Sequence, residues 1–335
     1  MNRTGFALRL SLIASLSLLA SAKAFGVRRT EDPLALIPAG AATVGMVHWS
    51  ELKTSPFGAK VFSEMDGVSC DGDAARFLAE AQLNPRDDVD TMVFAMAPAA
   101  ASVHETALVF FEGRFDTDRL ANAIVARGAS KKMASGAAYY RLPTHEGSEA
   151  TRAGDRGAVA FVNRGLIVAG SEDAVVAVLA RRESGGTGGL MSGDGLGRHL
   201  SRVQKDASAW AMVDLSRFPA TQRGSHLGEE SGPAATLLGA MKNMSVAVFQ
   251  AALRGHDVEL AASGVSSDSE TRGLIEDSLR GVLAMWRLAV ADKSPELVPV
   301  IRRFSVENDG QAVSVRGTVP ESFVQSLMSD RRAAH

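Results

Sequence analysis

The sequence holds a single cysteine, Cys70, in a chain of 335 residues. One thiol cannot form an internal disulfide, so the fold cannot depend on oxidative cross-links. The surrounding segment GVSCDGD (67–73) supplies acidic neighbours, which disfavour the reactive thiolate. We therefore interpret Cys70 as an idle thiol in a loop and not as a nucleophile.

Aromatic residues are also scarce, at 6% of the chain, whereas hydrophobic residues make up 46%. A core of normal size must therefore be built mostly from Ala, Val and Leu. Basic residues form no cluster, because they are scattered among Asp and Glu, and the formal net charge is −2. Nucleic-acid binding requires a clustered basic face that displaces counterions from phosphates, so the sequence predicts no nucleic-acid partner.

The motifs that usually carry catalysis are missing. There is no G-x-S-x-G nucleophile elbow and no S-x-x-K motif accompanied by its partner motifs. The acidic group Asp87, Asp88 and Asp90 lacks the glycine and the terminal Glu of an EF-hand loop. No two histidines lie within four residues of each other, which excludes an H-E-x-x-H zinc site. The seven histidines are His48, His104, His145, His199, His226, His256 and His335.

Two weaker patterns involve histidines. His104-Glu105 and His256-Asp257 each open a strand pattern, and ordinary turn residues explain both pairs without a metal. His48 ends a strand pattern, and Asp214 ends another, so the two could line one pocket or could simply mark strand ends at the surface. We assign no catalytic, cofactor-binding or metal-binding residue and no cofactor, and the sequence favours a protein that is not an enzyme.

Residues 1–24 have the three parts of a secretory signal peptide. Arg3 and Arg9 form a basic start, Leu10 to Ala22 an apolar run, and Ala22-Lys23-Ala24 a small-residue exit, which predicts cleavage after Ala24. A helical run of 13 residues spans only about 20 Å, too short for a bilayer core of about 30 Å. Without a cysteine at the cleavage site the chain is not expected to be a lipoprotein. We expect a periplasmic protein with no stable membrane span after cleavage.

The mature chain contains two stretches that share the same order of elements. A strand, a second strand, a strand leading into a capped helix, and a hairpin followed by a helix occur in both, which predicts a duplication. The four matched blocks are 44–52 with 210–218, 89–97 with 244–252, 105–128 with 258–282, and 159–182 with 304–332.

Several residues mark turns and helix ends within these blocks. Asn163-Arg164-Gly165 and Asn308-Asp309-Gly310 suit tight hairpin turns, and Asp116 and Gly128 suit the two ends of one helix. Side-chain caps are also predicted at three further helix starts. They are Ser171, Ser267 with Asp268, and a capping box from Thr318 to Glu321.

The segment ESGGTGGLMSGDGLG (183–197) contains seven glycines in fifteen residues. It lacks the G-K-[ST] ending of a phosphate-binding P-loop, so we interpret it as a flexible joint. The predicted organisation is therefore a signal peptide at 1–24, repeat one at 33–184, a glycine-rich linker at 185–197 and repeat two at 198–330.

The predicted fold class is α+β, with two tandem repeats of antiparallel sheet and helices packed on one face. The strand ALVFF (107–111) is apolar on both sides, which indicates that part of the sheet is covered twice. Tyr139-Tyr140 lies on a strand, where alternate side chains point to opposite faces, so at most one is expected to point inward. In the long helix from 269 to 291, one apolar stripe predicts burial against the sheet. The stripe consists of Ile275, Leu279, Val282, Trp286 and Ala289.

Three segments, LALIPAGAATVGMVHWSELKTSPFGAKV (34–61), FFEGRFD (110–116) and LIVAGSEDAVVAVL (166–179), carry a family resemblance. In these the chain resembles a group of uncharacterised exported bacterial proteins with a duplicated α+β domain. The resemblance covers most of the mature chain and implies periplasmic residence and two repeats. It implies no activity and no site residues.

The leading hypothesis is a non-enzymatic periplasmic binding or interaction protein, because two similar units can form a cleft and no catalytic motif is visible. Its partner would be a protein, peptide or lipid of the cell envelope. A periplasmic hydrolase with a non-local active site would instead show a pocket that joins a His to a Ser or a carboxylate. An envelope scaffold protein would show a broad exposed apolar patch.

Overall fold

The computed structural model describes residues 31–55, 58, 72–97, 106–143, 156–218, 244–293 and 297–323. The predicted cleavage site at Ala24, the thiol of Cys70, and the histidines at 104, 145, 226 and 335 lie outside these residues. Predictions that concern them remain predictions.

Twelve strands of the described residues form one antiparallel sheet. They are β1 (Thr43–His48), β2 (Val89–Ala97), β3 (Thr106–Gly113), β4 (Ser130–Ala134), β5 (Ala137–Arg141), β6 (Gly157–Asn163), β7 (Leu166–Ser171), β8 (Ala209–Asp214), β9 (Val246–Arg254), β10 (Asp257–Val265), β11 (Ser305–Asn308) and β12 (Ala312–Pro320). Their order across the sheet is β11-β12-β10-β9-β8-β1-β2-β3-β7-β6-β5-β4. The sheet passes without a break from one half of the chain to the other.

The two halves meet where β1 pairs with β8, and Gly45 lies opposite Ala211. Outward from this pair, the strands of one half follow the order β1, β2, β3, β7, β6, and those of the other half follow the order β8, β9, β10, β12, β11. In each half the first three strands lie in chain order and the last two are exchanged. The hairpin of β4 and β5 is an addition to the first half. This arrangement agrees with the order of the matched sequence blocks, although the duplication and its boundaries at 33–184 and 198–330 remain predictions.

Eight helices accompany the sheet in the described residues. They are α1 (Pro33–Leu36), α2 (Trp49–Lys53), α3 (Gly72–Ala81), α4 (Pro85–Asp88), α5 (Thr117–Ala126), α6 (Glu172–Glu183), α7 (Ser269–Lys293) and α8 (Val298–Arg302). Short 3-10 helices occupy Leu190–Ser192, Gly195–Arg202 and Leu215–Arg217. Helices and an antiparallel sheet together confirm the predicted α+β class.

The helices lie on both faces of the sheet and not on one. The first face, which carries Phe110 and Val168, packs against α1 and α6 in the main core. The second face, which carries Phe111 and Ile167, packs against α3 and α5 in a separate cluster. The expectation of helices on one face is therefore wrong, because strands such as β3 are apolar on both sides and each side requires cover. The doubly covered region lies within the first half and not where the halves meet.

Both tyrosines of the pair on β5 are buried, one on each face. Tyr139 is 6% exposed and belongs to the main core, whereas Tyr140 is 8% exposed and contacts Phe161 edge to face at 5.5 Å between ring centres. The expectation that at most one tyrosine points inward is wrong because helices cover this part of the sheet on both sides.

The glycine-rich segment packs against the core, so the interpretation as a flexible joint is wrong. Leu190 and Leu196 are completely buried in the main core. A Cβ atom at Gly189 would lie 2.1 Å from the Ala35 carbonyl oxygen, and one at Gly197 would lie 1.9 Å from the Leu190 carbonyl oxygen. Glycine is required here because backbones approach each other closely, and this requirement produces a composition that resembles a linker.

The predicted helix ends are confirmed where they depend on interactions within a few residues. Asp116 accepts a hydrogen bond from the Arg119 amide, Asp268 accepts one from the Thr271 amide, and Gly128 ends α5 with a φ of 88°. The hydroxyl of Ser171, in contrast, makes no capping bond. Thr318 does not begin a capping box, because β12 continues to Pro320 and Thr318 pairs with Glu259 of β10.

A buried ion pair fixes the start of α6. The carboxylate of Glu172, itself 5% exposed, accepts hydrogen bonds from the hydroxyl of Tyr139 at 2.6 Å and from two nitrogens of Arg141 at 2.6 and 2.7 Å. Burial acts to raise the pKa of Glu172, but the hydrogen bonds from Arg141 and Tyr139 and the charges of Arg141 and Arg156 outweigh it. The pKa of Glu172 therefore lies below its ordinary value of 4.5.

Replacing glycine by alanine should have opposite effects on stability at a closely packed position and at an exposed helical position. We expect Gly197→Ala to lower the free energy of unfolding by about 1–3 kcal/mol, because the new methyl group overlaps a backbone oxygen. Gly281→Ala, on an exposed position of α7 with no atom within 4 Å of its Cβ site, should raise it by up to about 1 kcal/mol. Urea unfolding of both variants checks this. Equal effects at the two sites would contradict the close packing of the segment.

The Glu172 ion pair predicts a pH-dependent contribution to stability. A carboxylate with a lowered folded-state pKa stabilises the fold above its unfolded-state pKa, and this stability is lost as the pH falls through the folded-state value. We expect Glu172→Gln to cost about 1–3 kcal/mol at pH 7. The difference from the unmodified protein should shrink as the pH falls below about 4.5. A difference that stays constant from pH 7 to pH 3 in urea unfolding would refute this assignment.

Candidate functional site

An apolar groove of about 530 Å³ lies on the second face of the sheet, where the halves meet. Helices α3 and α5 cover this face only over the outer strands of the first half. On the other side, Ile275 of α7 packs with Val313 of β12. The central strands between these helices keep their apolar side chains partly accessible, and Phe249 is 44% exposed.

The floor of the groove consists of small side chains flanked by aromatic rings. One row of paired residues crosses the sheet as Phe94, Gly45, Ala211, Phe249, Ala262 and Val315. The next row contains Val47, Ala209, Ala251 and Leu260. Phe304 lies across the outer end of this surface, against Gly317. Gly45 and Ala211 lie between the rings of Phe94 and Phe249, so the floor is lowest there.

Gly45 is the smallest residue of the floor, and its size is required. A Cβ atom there would lie 2.2 Å from the ring of Phe94 and 2.9 Å from the Trp210 carbonyl oxygen. The ring of Phe94 therefore lies over the backbone of β1. Phe249 occupies the corresponding place in the other half, beside Ala211.

The groove offers almost no polar group to a ligand. Gln250 is the one polar residue among the thirteen that line it, and its side chain is bound on the opposite face. There it accepts a hydrogen bond from the Gln204 amide at 2.6 Å and donates one to the Arg202 carbonyl at 3.0 Å. The floor strands β1, β8, β9 and β10 are each paired on both sides, so their backbone groups are also satisfied.

The predicted stripe of α7 is buried only in part. Ile275 and Val282 are buried, but Trp286 is 52% exposed and Ala289 is exposed, while Leu283 and Val290 are buried instead. The inward face of this long helix thus moves by one residue along its second half. Met285 and Leu288 are exposed beside Trp286.

This exposed end of α7 is connected to the groove. Arg287, one residue after Trp286, donates a hydrogen bond from Nη2 to the carbonyl oxygen of Phe304 at 3.1 Å. Phe304 in turn lines the groove. The hydrogen bond therefore fixes Arg287 of α7 to one residue of the groove wall.

The residues weighed from the sequence do not converge on this groove. His48 and Asp214 lie at opposite ends of the antiparallel pair β1 and β8, so they cannot share one pocket. His256 lies in the turn between β9 and β10 and shares a small hollow with Glu51 and Ser55. Its predicted counterpart, His104, is outside the described residues. Asp87 and Asp88 belong to α4, where they bind the side chain and the backbone amide of Asn84.

His199 lies in a second, polar cavity with Ser201 and Asp309. Burial lowers the pKa of His199, and the charges of Arg202 and Arg198 lower it further. Asp309 accepts hydrogen bonds from the Gln311 and Ala312 amides and from Arg202. Within the described part of the chain, no hydrogen bond joins His199 to a serine or a carboxylate. A catalytic chain of nucleophile, base and orienting acid is not assembled there.

The described residues offer neither a metal site nor a membrane-spanning helix. In the ranges that the structure describes, no group of three or more His, Cys, Asp or Glu side chains is placed to hold a metal ion. Among the same residues, no helix is both long enough and apolar enough to cross a membrane.

Comparison with known proteins gives no family. No protein-family model matches the chain, and no curated protein matches it. Among solved structures, crystal forms I and III of TP0453 are similar, with a TM-score of 0.47 in each case and sequence identities of 9% and 10%. They cover 90% and 89% of this chain and 99% and 98% of their own. Crystal form IV of TP0453 has a TM-score of 0.45 at 11% identity.

The close contact between Gly45 and Phe94 predicts a coupled pair of substitutions. We expect Gly45→Ala to lower the free energy of unfolding by about 1–3 kcal/mol, because the methyl group displaces the ring. In a Phe94→Ala background the same substitution should cost less, since the ring is absent. Urea unfolding of the two single variants and the double variant measures the coupling. Additive effects would mean that the ring does not limit the size of residue 45.

Proposed function

We propose that the protein is a non-enzymatic binding protein of the bacterial periplasm and that the apolar groove holds its ligand. The observation that carries the proposal is the groove itself, a concave surface between the halves with no charged residue among those that line it. Small-molecule sites are concave and mostly apolar. The lining contains no residue able to act as nucleophile, acid or base, so the groove is suited to binding and not to catalysis.

The chemistry of the groove favours a hydrocarbon ligand over an extended peptide. A peptide strand carries amide and carbonyl groups that need hydrogen-bond partners, and burying them without partners is costly. The floor strands have no unpaired backbone groups to offer. A hydrocarbon chain has no such need and gains from removing its surface, and that of Phe94, Phe249 and Leu260, from water.

A partner helix is the rival occupant, because a helix satisfies its own backbone. It would present an apolar stripe to the groove, as helices do in apolar clefts of other proteins. Met285, Trp286 and Leu288 of α7 are further exposed apolar side chains that a protein partner could contact. A protein partner of this kind corresponds to the scaffold function considered from the sequence.

Periplasmic residence is part of the proposal and rests on residues 1–24. The basic start, the short apolar run and the exit at Ala24 support export followed by cleavage. Cleavage after Ala24 would remove Arg3, Arg9 and Lys23, so the formal net charge would change from −2 for the full chain to −5 for the mature chain.

Binding of a polyene fatty acid that fluoresces only in apolar surroundings, cis-parinaric acid, tests the groove directly. We expect saturable binding that oleate displaces. Ala211→Phe should reduce the affinity at least tenfold, equivalent to about 1.4 kcal/mol, because the new ring fills the floor between Gly45 and Phe249.

Val125→Phe is the matched control, since Val125 is 47% exposed on α5 and does not line the groove. This variant should bind the probe as the unmodified protein does. Equal affinity in Ala211→Phe would show that the probe binds elsewhere. If the unmodified protein shows no saturable binding, the hydrocarbon ligand is wrong and the helix partner becomes the better explanation.

A further inference from the structure

The polar cavity on the first face has a volume of about 610 Å³ and lies behind the groove, on the other side of the sheet. The 3-10 helix Gly195–Arg202 forms one side, and strands β10 and β12 with the turn before β12 form the other. Three arginines line it, Arg198, Arg202 and Arg316. Asp309 is the one carboxylate in the lining.

The sheet beneath this cavity carries polar side chains, whereas the equivalent positions in the first half of the sheet carry apolar ones. In the first half, β3 and β7 pair Phe110 with Val168, and both side chains are completely buried. In the second half, the corresponding strands β10 and β12 pair Ser263 with Ser314, and both serines line the cavity. The second half therefore presents hydroxyl groups where the first half forms its core.

The arginines differ in how far they are already engaged. Arg202 is bound to Asp309 at 3.1 Å and to Gln311 at 2.9 Å, so it serves mainly to hold the turn. Arg198 donates from Nε to the Gly195 carbonyl, and within the described residues its terminal nitrogens have no bound acceptor. Arg316 approaches Glu307 only to 3.9 Å. Two guanidinium groups are thus available to a ligand.

The local charge is positive although the chain is negative overall. Asp309 offsets Arg202 directly, which leaves Arg198 and Arg316 against the more distant Glu307. Burial is the main cause that lowers the pKa of His199; the charges of Arg202 and Arg198 lower it further, and that of Asp214 acts against them.

We propose that this cavity binds an oxyanion, a small ligand bearing phosphate or carboxylate groups. Guanidinium groups bind such anions through paired, charge-assisted hydrogen bonds, and the fork geometry of arginine matches both. The hydroxyls of Ser263 and Ser314 add donors from the floor. The proposed site is separate from the groove, because β9 and β10 lie between them.

Calorimetric titration with inorganic phosphate and, separately, with citrate tests the site at constant ionic strength set by chloride. We expect saturable binding of at least one of them and a rise in Tm on the order of 2 °C at ten times the Kd. Phosphate alone or citrate alone supports the site and identifies the class of ligand. Binding of neither overturns the proposal.

Two variants locate the binding. Arg198→Gln combined with Arg316→Gln should reduce the affinity at least tenfold, and Ser263→Ala combined with Ser314→Ala severalfold, with little change to the fold. Arg280→Gln, an exposed arginine of α7 outside the cavity, is the matched control and should bind as the unmodified protein does. Undiminished affinity in both double variants would also overturn the proposal.

Discussion

The pairing of β1 with β8 is the interaction on which the rest of the molecule depends. It joins strands from the two halves into one sheet, with Gly45 opposite Ala211 at the junction. Outward from this pair, the strands follow the same order by position in both directions. It also aligns two aromatic side chains, Phe94 and Phe249, on either side of a floor of small residues. The junction of the halves and the floor of the groove are therefore the same structure.

Much of the local structure follows from the sequence because short-range chemistry determines it. The caps at Asp116 and Asp268 and the left-handed Gly128 depend on atoms within a few residues, and these predictions hold. The α+β class follows from strand and helix patterns of the same kind. Thr318 fails as a cap because its pairing with Glu259, 59 residues earlier, keeps it in a strand. A contact between residues so far apart in the chain cannot be predicted from the local sequence pattern.

The candidate groove illustrates the same limit. Its floor brings together residues from six separate strands, and the sequence does not show which face of these strands remains uncovered. Which face remains uncovered depends on where α5 and α7 end over the sheet, and the hydrophobic periodicity of the sequence does not indicate this. The stripe of α7 could be predicted through Val282 but not through Trp286, because the inward face then moves by one residue and buries Leu283 and Val290 instead. Glycine is the most ambiguous signal, because a close backbone approach and a flexible joint have the same composition.

The glycine-rich segment and the 3-10 helix that follows it form one continuous stretch with two attachments. Its buried leucines, Leu190 and Leu196, belong to the main core, while Arg202, a few residues later, holds the turn before β12 through Asp309. Loosening either attachment therefore removes support from the other. By its position in the sequence, this stretch would be taken for a linker between two independent domains. In the structure it is attached to both halves. We therefore expect the halves to fold and unfold together.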